Sequence, residues 1–163
     1  MFLLVNLEAV IGNLIDLVEN KYEYLKEIHL LTKQQTDAIE NADMSFLSLL
    51  IDEKQERIDF IRNIDAKFEA ITDDLKTVFG VKSLDELEVH CDDVLRLKES
   101  ISSMMELLRQ IVDLEADNRE KIYRAKDLLE VRMGNTKNGK RAIKQYGGVS
   151  GYTDSYFFDK KIK

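Results

Sequence analysis

Few side chains in this chain of 163 residues could support metal binding or catalysis. Residues 90–93, His-Cys-Asp-Asp, are four possible zinc ligands in one run. Adjacent residues cannot all face one ion, and the sequence has no second cluster to complete a tetrahedral site. A di-iron bundle requires Glu-x-x-His on two helices, but Lys26 precedes His29 by three residues and Leu87 precedes His90. We therefore expect no catalytic residue, no metal, no cofactor and no enzymatic activity.

The composition indicates the elements that carry these residues. The chain has no proline, where average usage of ~5% would give roughly eight. Five of its seven glycines lie between positions 134 and 151. Because proline disrupts helix interiors and β-sandwiches need many tight turns, this composition predicts an almost entirely helical chain. The single cysteine, Cys91, excludes an intrachain disulfide.

Charge divides the chain into two parts. Residues 134–163 carry seven basic and two acidic side chains, a net charge of +5, whereas residues 1–133 carry 17 and 29, a net charge of −12. The acidic part repels nucleic acids and anionic lipids. The first residues lack a basic leader, and Glu8 and Asp16 interrupt the apolar residues before a membrane span is reached. We expect a cytoplasmic protein with no membrane insertion.

Apolar residues recur in steps of three and four, which predicts three long helices at about 2–40, 44–79 and 92–133. The pattern restarts after Asp43, a suitable N-cap, so the first two helices form a coiled-coil-like hairpin. A capping box at Ser83 predicts a short connecting helix at 84–90. The predicted fold is all-α: an antiparallel bundle of three long helices over residues 1–133, followed by an irregular, basic, glycine- and aromatic-rich tail over 134–163.

Seven polar residues occupy positions of the apolar seam, and they have two interpretations. In the first, long charged side chains reach the solvent and these layers are wet. In the second, the bundle exchanges helices with a partner or uses these residues to fix its register. The residues are Lys21, Thr32, Gln35, Lys54, Asp65, Glu115 and Asn118.

The last long helix carries more apolar residues than one seam absorbs. Core packing accounts for most of them, and the excess next to the tail suits a groove for an amphipathic helix of a partner. The candidate groove residues are Ile122, Leu128, Leu129, Val131 and Met133.

Several segments resemble the FlgN-type flagellar export chaperones, and together they cover the whole chain. They are Leu31-x-x-Gln34-x-x-Asp37-Ala38-Ile39-x-x-x-Asp43-x-x-x-Leu47-x-x-Leu50 at the hairpin, Lys54-Gln55-x-x-Ile58, Asn118 in the last helix, Tyr146-Gly147, and Phe157-Phe158-Asp159-Lys160-Lys161.

This resemblance implies a cytosolic chaperone that binds hook-associated (hook–filament junction) proteins and prevents their premature association. Such a chaperone delivers its clients to the flagellar type III export gate and its ATPase components. In that family the C-terminal portion serves the client and a Tyr-Gly turn docks at the gate, which corresponds here to Tyr146 and Gly147. We group Tyr156, Phe157 and Phe158 with the same contact.

Two alternatives remain at this stage. The chain could be a generic coiled-coil adaptor or scaffold protein, or, third, its basic tail could bind nucleic acid. The resemblance itself implies no nucleic-acid partner. The client, the stoichiometry and the choice between monomer and homodimer stay open.

Overall fold

Three long helices form the described part of the chain. A computed structural model describes residues 2–83, 86, 92–133, 141 and 144, with the backbone alone for 2–6 and 127–133. Helix α1 spans Phe2–Glu40, α2 spans Met44–Phe79 and α3 spans Asp92–Met133, and these described ranges contain no strand. The predicted all-α helical bundle is confirmed. Within the same ranges, no helix combines the length and apolarity that a membrane crossing requires.

Two other predictions concern residues that the structure does not describe. Apart from Glu86, the short connecting helix predicted at 84–90 lies outside the described residues. The predicted tail at 134–163 lies outside them except for Arg141 and Lys144, both of which have helical backbone geometry. The division of the chain into a bundle and a tail therefore stays a prediction.

Backbone hydrogen bonds close the turn between α1 and α2. The Asp43 N–H donates to the Ala38 carbonyl (2.8 Å) and the Ala42 N–H donates to the Ile39 carbonyl (3.1 Å), which is the Schellman pattern of a helix end. Ala42 has φ 53°, at the position where glycine is the usual residue. The Asp43 carboxylate then accepts from the Phe46 N–H (3.1 Å), so the predicted N-cap of α2 is confirmed.

The other described helix ends follow the same rules. Gly80 has φ 65° after the last residue of α2, and the Val81 N–H donates to the Lys76 carbonyl at 3.1 Å. Asp92 and Asp93 lie in the first turn of α3, where negative charge is favourable next to the positive end of the helix dipole.

The chain divides into two compact units, each built from parts of all three helices. Unit 1 comprises Met1–Lys26 and Ile58–Leu107, and unit 2 comprises Glu27–Arg57 and Leu108–Lys163.

In unit 1, α1 and α2 run antiparallel. Lys21 on α1 forms a buried ion pair with Asp65 on α2 (2.8 Å), and one turn later on α1 the Tyr24 ring stacks on Phe60, with 5.3 Å between centroids. Apolar side chains from all three helices are buried in this unit. They are Leu7, Ile11, Leu14, Ile15, Val18, Leu25, Ile61, Ile64, Leu75, Val94, Leu97, Met104 and Leu107.

The two described glycines allow one substitution to be tested in opposite environments. Gly12 lies inside α1, and Gly80 has left-handed backbone geometry; at neither position does any heavy atom lie within 4 Å of an added Cβ. We expect Gly12→Ala to raise the free energy of unfolding by about 0.5–1 kcal/mol, because alanine loses less backbone entropy in a helix. We expect Gly80→Ala to lower it by about 1 kcal/mol through left-handed strain. Urea unfolding measures both, and changes of the same sign would contradict this reading.

Candidate partner-binding site

An apolar cluster at the hairpin turn joins the three helices of unit 2. Ile122 of α3 is 1% exposed and packs in this cluster, which both arms of the hairpin supply. Because each fully buried aliphatic side chain contributes about 1.5–3 kcal/mol, the cluster is a major source of stability for this unit. Its buried members are Leu31, Ala38, Ile39, Met44, Leu47, Leu50, Ile51 and Ile122, and the partly buried Ala42 and Ala125 pack against it.

One turn before Ile122, Asn118 fixes α3 on α1. The Asn118 side chain is fully buried. Its Nδ2 donates to the Thr32 carbonyl (3.2 Å), and its Oδ1 accepts from the Thr36 hydroxyl (2.6 Å). The Thr32 hydroxyl donates to the Ile28 carbonyl (2.7 Å), so this threonine is satisfied within its own helix. Asn118 therefore holds α3 at one height along α1.

One turn further back, a buried charge joins all three helices. Lys54 of α2 forms an ion pair with Glu115 of α3, and its Nζ donates to Gln35 Oε1 of α1 at 3.1 Å. Burial lowers the pKa of Lys54 to about 7, because the ammonium group loses its hydration. The Glu115 carboxylate acts in the opposite direction, since an adjacent negative charge favours the ammonium form.

These contacts decide between the two interpretations of the polar seam residues. All seven are buried. Lys21 meets Asp65 in unit 1, and in unit 2 Lys54 meets Glu115, so the charged ends pair inside the protein and do not reach water. The wet-layer interpretation is wrong, and the pairing supports residues that fix the register of the helices.

This register determines how far α3 extends within unit 2. Lys121 pairs with Glu40, the last residue of α1, at 2.7 Å, and the contacts of Asn118 show that α3 runs parallel to α1. Helix α3 continues for twelve residues past Lys121 to Met133, or about 18 Å. The backbone of this last part of α3 therefore runs on past the level at which α1 ends.

The predicted site residues have different positions relative to this arrangement. Ile122 is 1% exposed and packs in the hairpin cluster, so it belongs to the core and does not line an open groove as predicted. Leu128, Leu129, Val131 and Met133 lie on the helical backbone of α3, and their side chains are outside the described part of the structure. The predicted tail residues, Tyr146, Gly147, Tyr156, Phe157 and Phe158, also lie outside the described residues.

Sequence reasoning missed a contact between the tail region and α2. The Arg141 guanidinium forms a bidentate ion pair with Asp52, donating to Oδ2 at 3.1 Å, and a further bond of 3.4 Å reaches the Ser48 hydroxyl. The Arg141 hydrogen bond holds the pKa of the Asp52 carboxyl below its usual range. No local spacing links residues so far apart in sequence, so only the opposite charges of tail and body hinted at this contact.

Metal-site geometry is absent from the part of the chain that the structure describes. No group of three or more histidine, cysteine, aspartate or glutamate side chains converges there in a way that could hold an ion. Burial, together with nearby Lys33, lowers the pKa of the half-buried His29.

A comparison with protein families gives one match, to a family model described as FlgN protein, over residues 3–148. No curated protein and no solved structure matches the chain.

The ion pair of Lys54 and Glu115 yields a double-mutant prediction. Below pH 7, where Lys54 keeps its proton, we expect Lys54→Met alone to cost about 3 kcal/mol of unfolding free energy, because it leaves the Glu115 carboxylate buried without its cation. The double variant Lys54→Met/Glu115→Leu should cost less than the sum of the two single changes. The control is Lys121→Met at the exposed pair with Glu40, which should cost less than about 1 kcal/mol. A Lys54→Met variant no less stable than this control would contradict the prediction.

The lowered pKa of Lys54 predicts a pH dependence of stability. The folded protein releases the Lys54 proton at about pH 7, whereas the ordinary value is 10.5, so between these values the unfolded state binds more protons. The free energy of unfolding therefore rises with pH in this window. Relative to Lys54→Met, we expect the natural protein to gain up to about 1.4 kcal/mol per pH unit, measured by urea unfolding at several pH values. A difference that stays constant or falls with pH would show that this residue keeps its proton.

Proposed function

The chain belongs to the FlgN family of flagellar export chaperones, and from this premise we propose that it binds hook-associated proteins in the cytoplasm. In this proposal it prevents their premature association and delivers them to the export gate. The observation that carries the proposal is the family match over residues 3–148, nearly the whole chain. The proposed activity is non-enzymatic and needs no cofactor and no nucleic acid.

The geometry of unit 2 supports a client site at the end of α3. Amphipathic client helices associate with one another unless an apolar surface covers them, and a helix laid along a groove provides such a cover. Leu128, Leu129, Val131 and Met133 are the proposed client contacts. Ile122 and Asn118, which precede these residues on α3, hold the helix on the hairpin. Client binding would therefore carry only a small entropy cost for ordering this helix.

The tail is the proposed contact with the export machinery. Tyr146 and Gly147 match the Tyr-Gly turn, and Tyr156, Phe157 and Phe158 add aromatic side chains, which are common anchors of protein interfaces. Separate client and gate contacts would allow the chaperone to hold its cargo while it docks.

Co-purification with hook-associated proteins tests the client proposal. We expect full-length clients to be retained and clients without their terminal helices to be lost. The double substitution Leu128→Glu/Leu129→Glu should weaken binding by at least about tenfold in calorimetric titration, because it places charge in an apolar contact. Leu95→Glu is the control, since Leu95 is 60% exposed on the part of α3 that belongs to unit 1. Failure to retain any full-length client would favour the coiled-coil adaptor alternative.

A further inference from the structure

The ion pair of Arg141 brings the tail region to a particular part of α2. Arg141 contacts Asp52 through both carboxylate oxygens and also reaches Ser48, one turn earlier. Ser48 is buried, so the guanidinium lies against the helix surface. Residues 145–163 therefore begin four residues after Arg141, whose guanidinium is held at Asp52 of α2.

Exposed apolar side chains lie beside this fixed point. Leu49 is 62% exposed and Phe46 is 41% exposed, and they precede Asp52 by one and two turns on α2. Residues three and four apart share a helix face, so Leu49 adjoins both Asp52 and Glu53. These four residues, Phe46, Leu49, Asp52 and Glu53, form a surface that is apolar at one end and acidic at the other, which we name the α2 patch.

The composition of residues 145–163 complements the α2 patch. This segment of 19 residues contains five aromatic side chains and three lysines. Aromatic rings can cover Phe46 and Leu49, and lysines are attracted to Asp52 and Glu53. An exposed ion pair such as that of Arg141 and Asp52 is too weak to hold a tail by itself, so the apolar contacts would carry most of the attraction.

We propose that the α2 patch is the docking surface for residues 145–163 of the same chain. Because the segment is covalently part of the same chain, it has a high effective concentration at the patch and is favoured over a second copy of the chain, and the contact of Arg141 with Asp52 adds to this. As a consequence that rests on the proposed function, the aromatic residues assigned to the export gate are covered in the free chaperone. A gate must then compete with the α2 patch for them.

Paramagnetic NMR on the full chain tests this docking without any partner. A nitroxide is attached through Glu53→Cys in a Cys91→Ser background, and the amide signals of residues 145–163 are measured. We expect these signals to be lost when the label is oxidised and to return when it is reduced. A label at Asp74→Cys is the control, because Asp74 lies 25 residues beyond Leu49 on the same helix, or about 37 Å. Tail signals that survive with the label at position 53 would overturn the proposal.

Two further measurements test the occupant and the contacts. Mixing ¹⁵N-labelled, spin-free chains with unlabelled chains carrying the nitroxide detects docking between copies. We expect the tail signals to survive in that mixture, and their loss there would overturn docking within one chain. Leu49→Glu should restore the tail signals, whereas Leu30→Glu, at a side chain that is 58% exposed on α1, should not. Arg141→Asp should restore them in part, because it places a second negative charge beside Asp52, and adding Asp52→Arg should reverse this effect. Signals unchanged by Leu49→Glu would contradict apolar docking.

Because no client or gate component is present, these outcomes are independent of the proposed function. Docking can be overturned while client binding stands, and client binding can fail while docking stands.

Discussion

A charge that leaves water must meet an opposite charge or a hydrogen-bond partner inside the protein, and this constraint sets how the helices pair. In unit 1 the partners are Lys21 and Asp65, and in unit 2 they are Lys54, Gln35 and Glu115. Shifting a helix by one residue turns a side chain by about 100° and moves it 1.5 Å along the axis. Apolar side chains tolerate such a shift better than a buried ammonium, which would lose its acceptor and its pairing energy. The polar seam residues therefore fix positions that the apolar seam leaves less defined.

The position of α3 in unit 2 depends on this constraint. Glu115 meets Lys54, Asn118 meets Thr32 one turn later, and Ile122 then enters the apolar cluster at the hairpin turn. The three residues follow one another at helical spacing, so they face the hairpin on one side of α3. The contact of Glu115 with Lys54 therefore also sets where Ile122 lies along the hairpin, and with it the position of the end of α3. The location of the proposed client contacts is thus set by polar contacts that the client never touches.

The sequence predicted the features of this fold that local physics controls. Periodic apolar residues defined the long helices, and Asp43 marked the start of α2. Ala42 was not predicted in left-handed geometry, because a partly buried methyl group that packs on the core cluster offsets a cost that only the tertiary structure reveals. The polar seam residues could be identified from their positions in the heptad pattern. Their partners could not be predicted, because residues that pair across helices have no characteristic spacing in the sequence. Ile122 shows the same limit: apolar periodicity is identical for a side chain in the core and for one in a groove.

Under the proposed function, buried polar layers also address a problem that a chaperone of helical clients would have. Its own helices and those of the client share the same apolar periodicity, so a client helix could in principle replace one of them. Replacement of α1 would remove Gln35 from Lys54 and the Thr32 carbonyl from Asn118. The cost of leaving such groups buried and unsatisfied is larger than the modest net stability that the pairs contribute when intact. Polar layers in the seam therefore oppose invasion of the bundle, and under the proposed function this would separate the strength of client binding from the stability of the bundle itself.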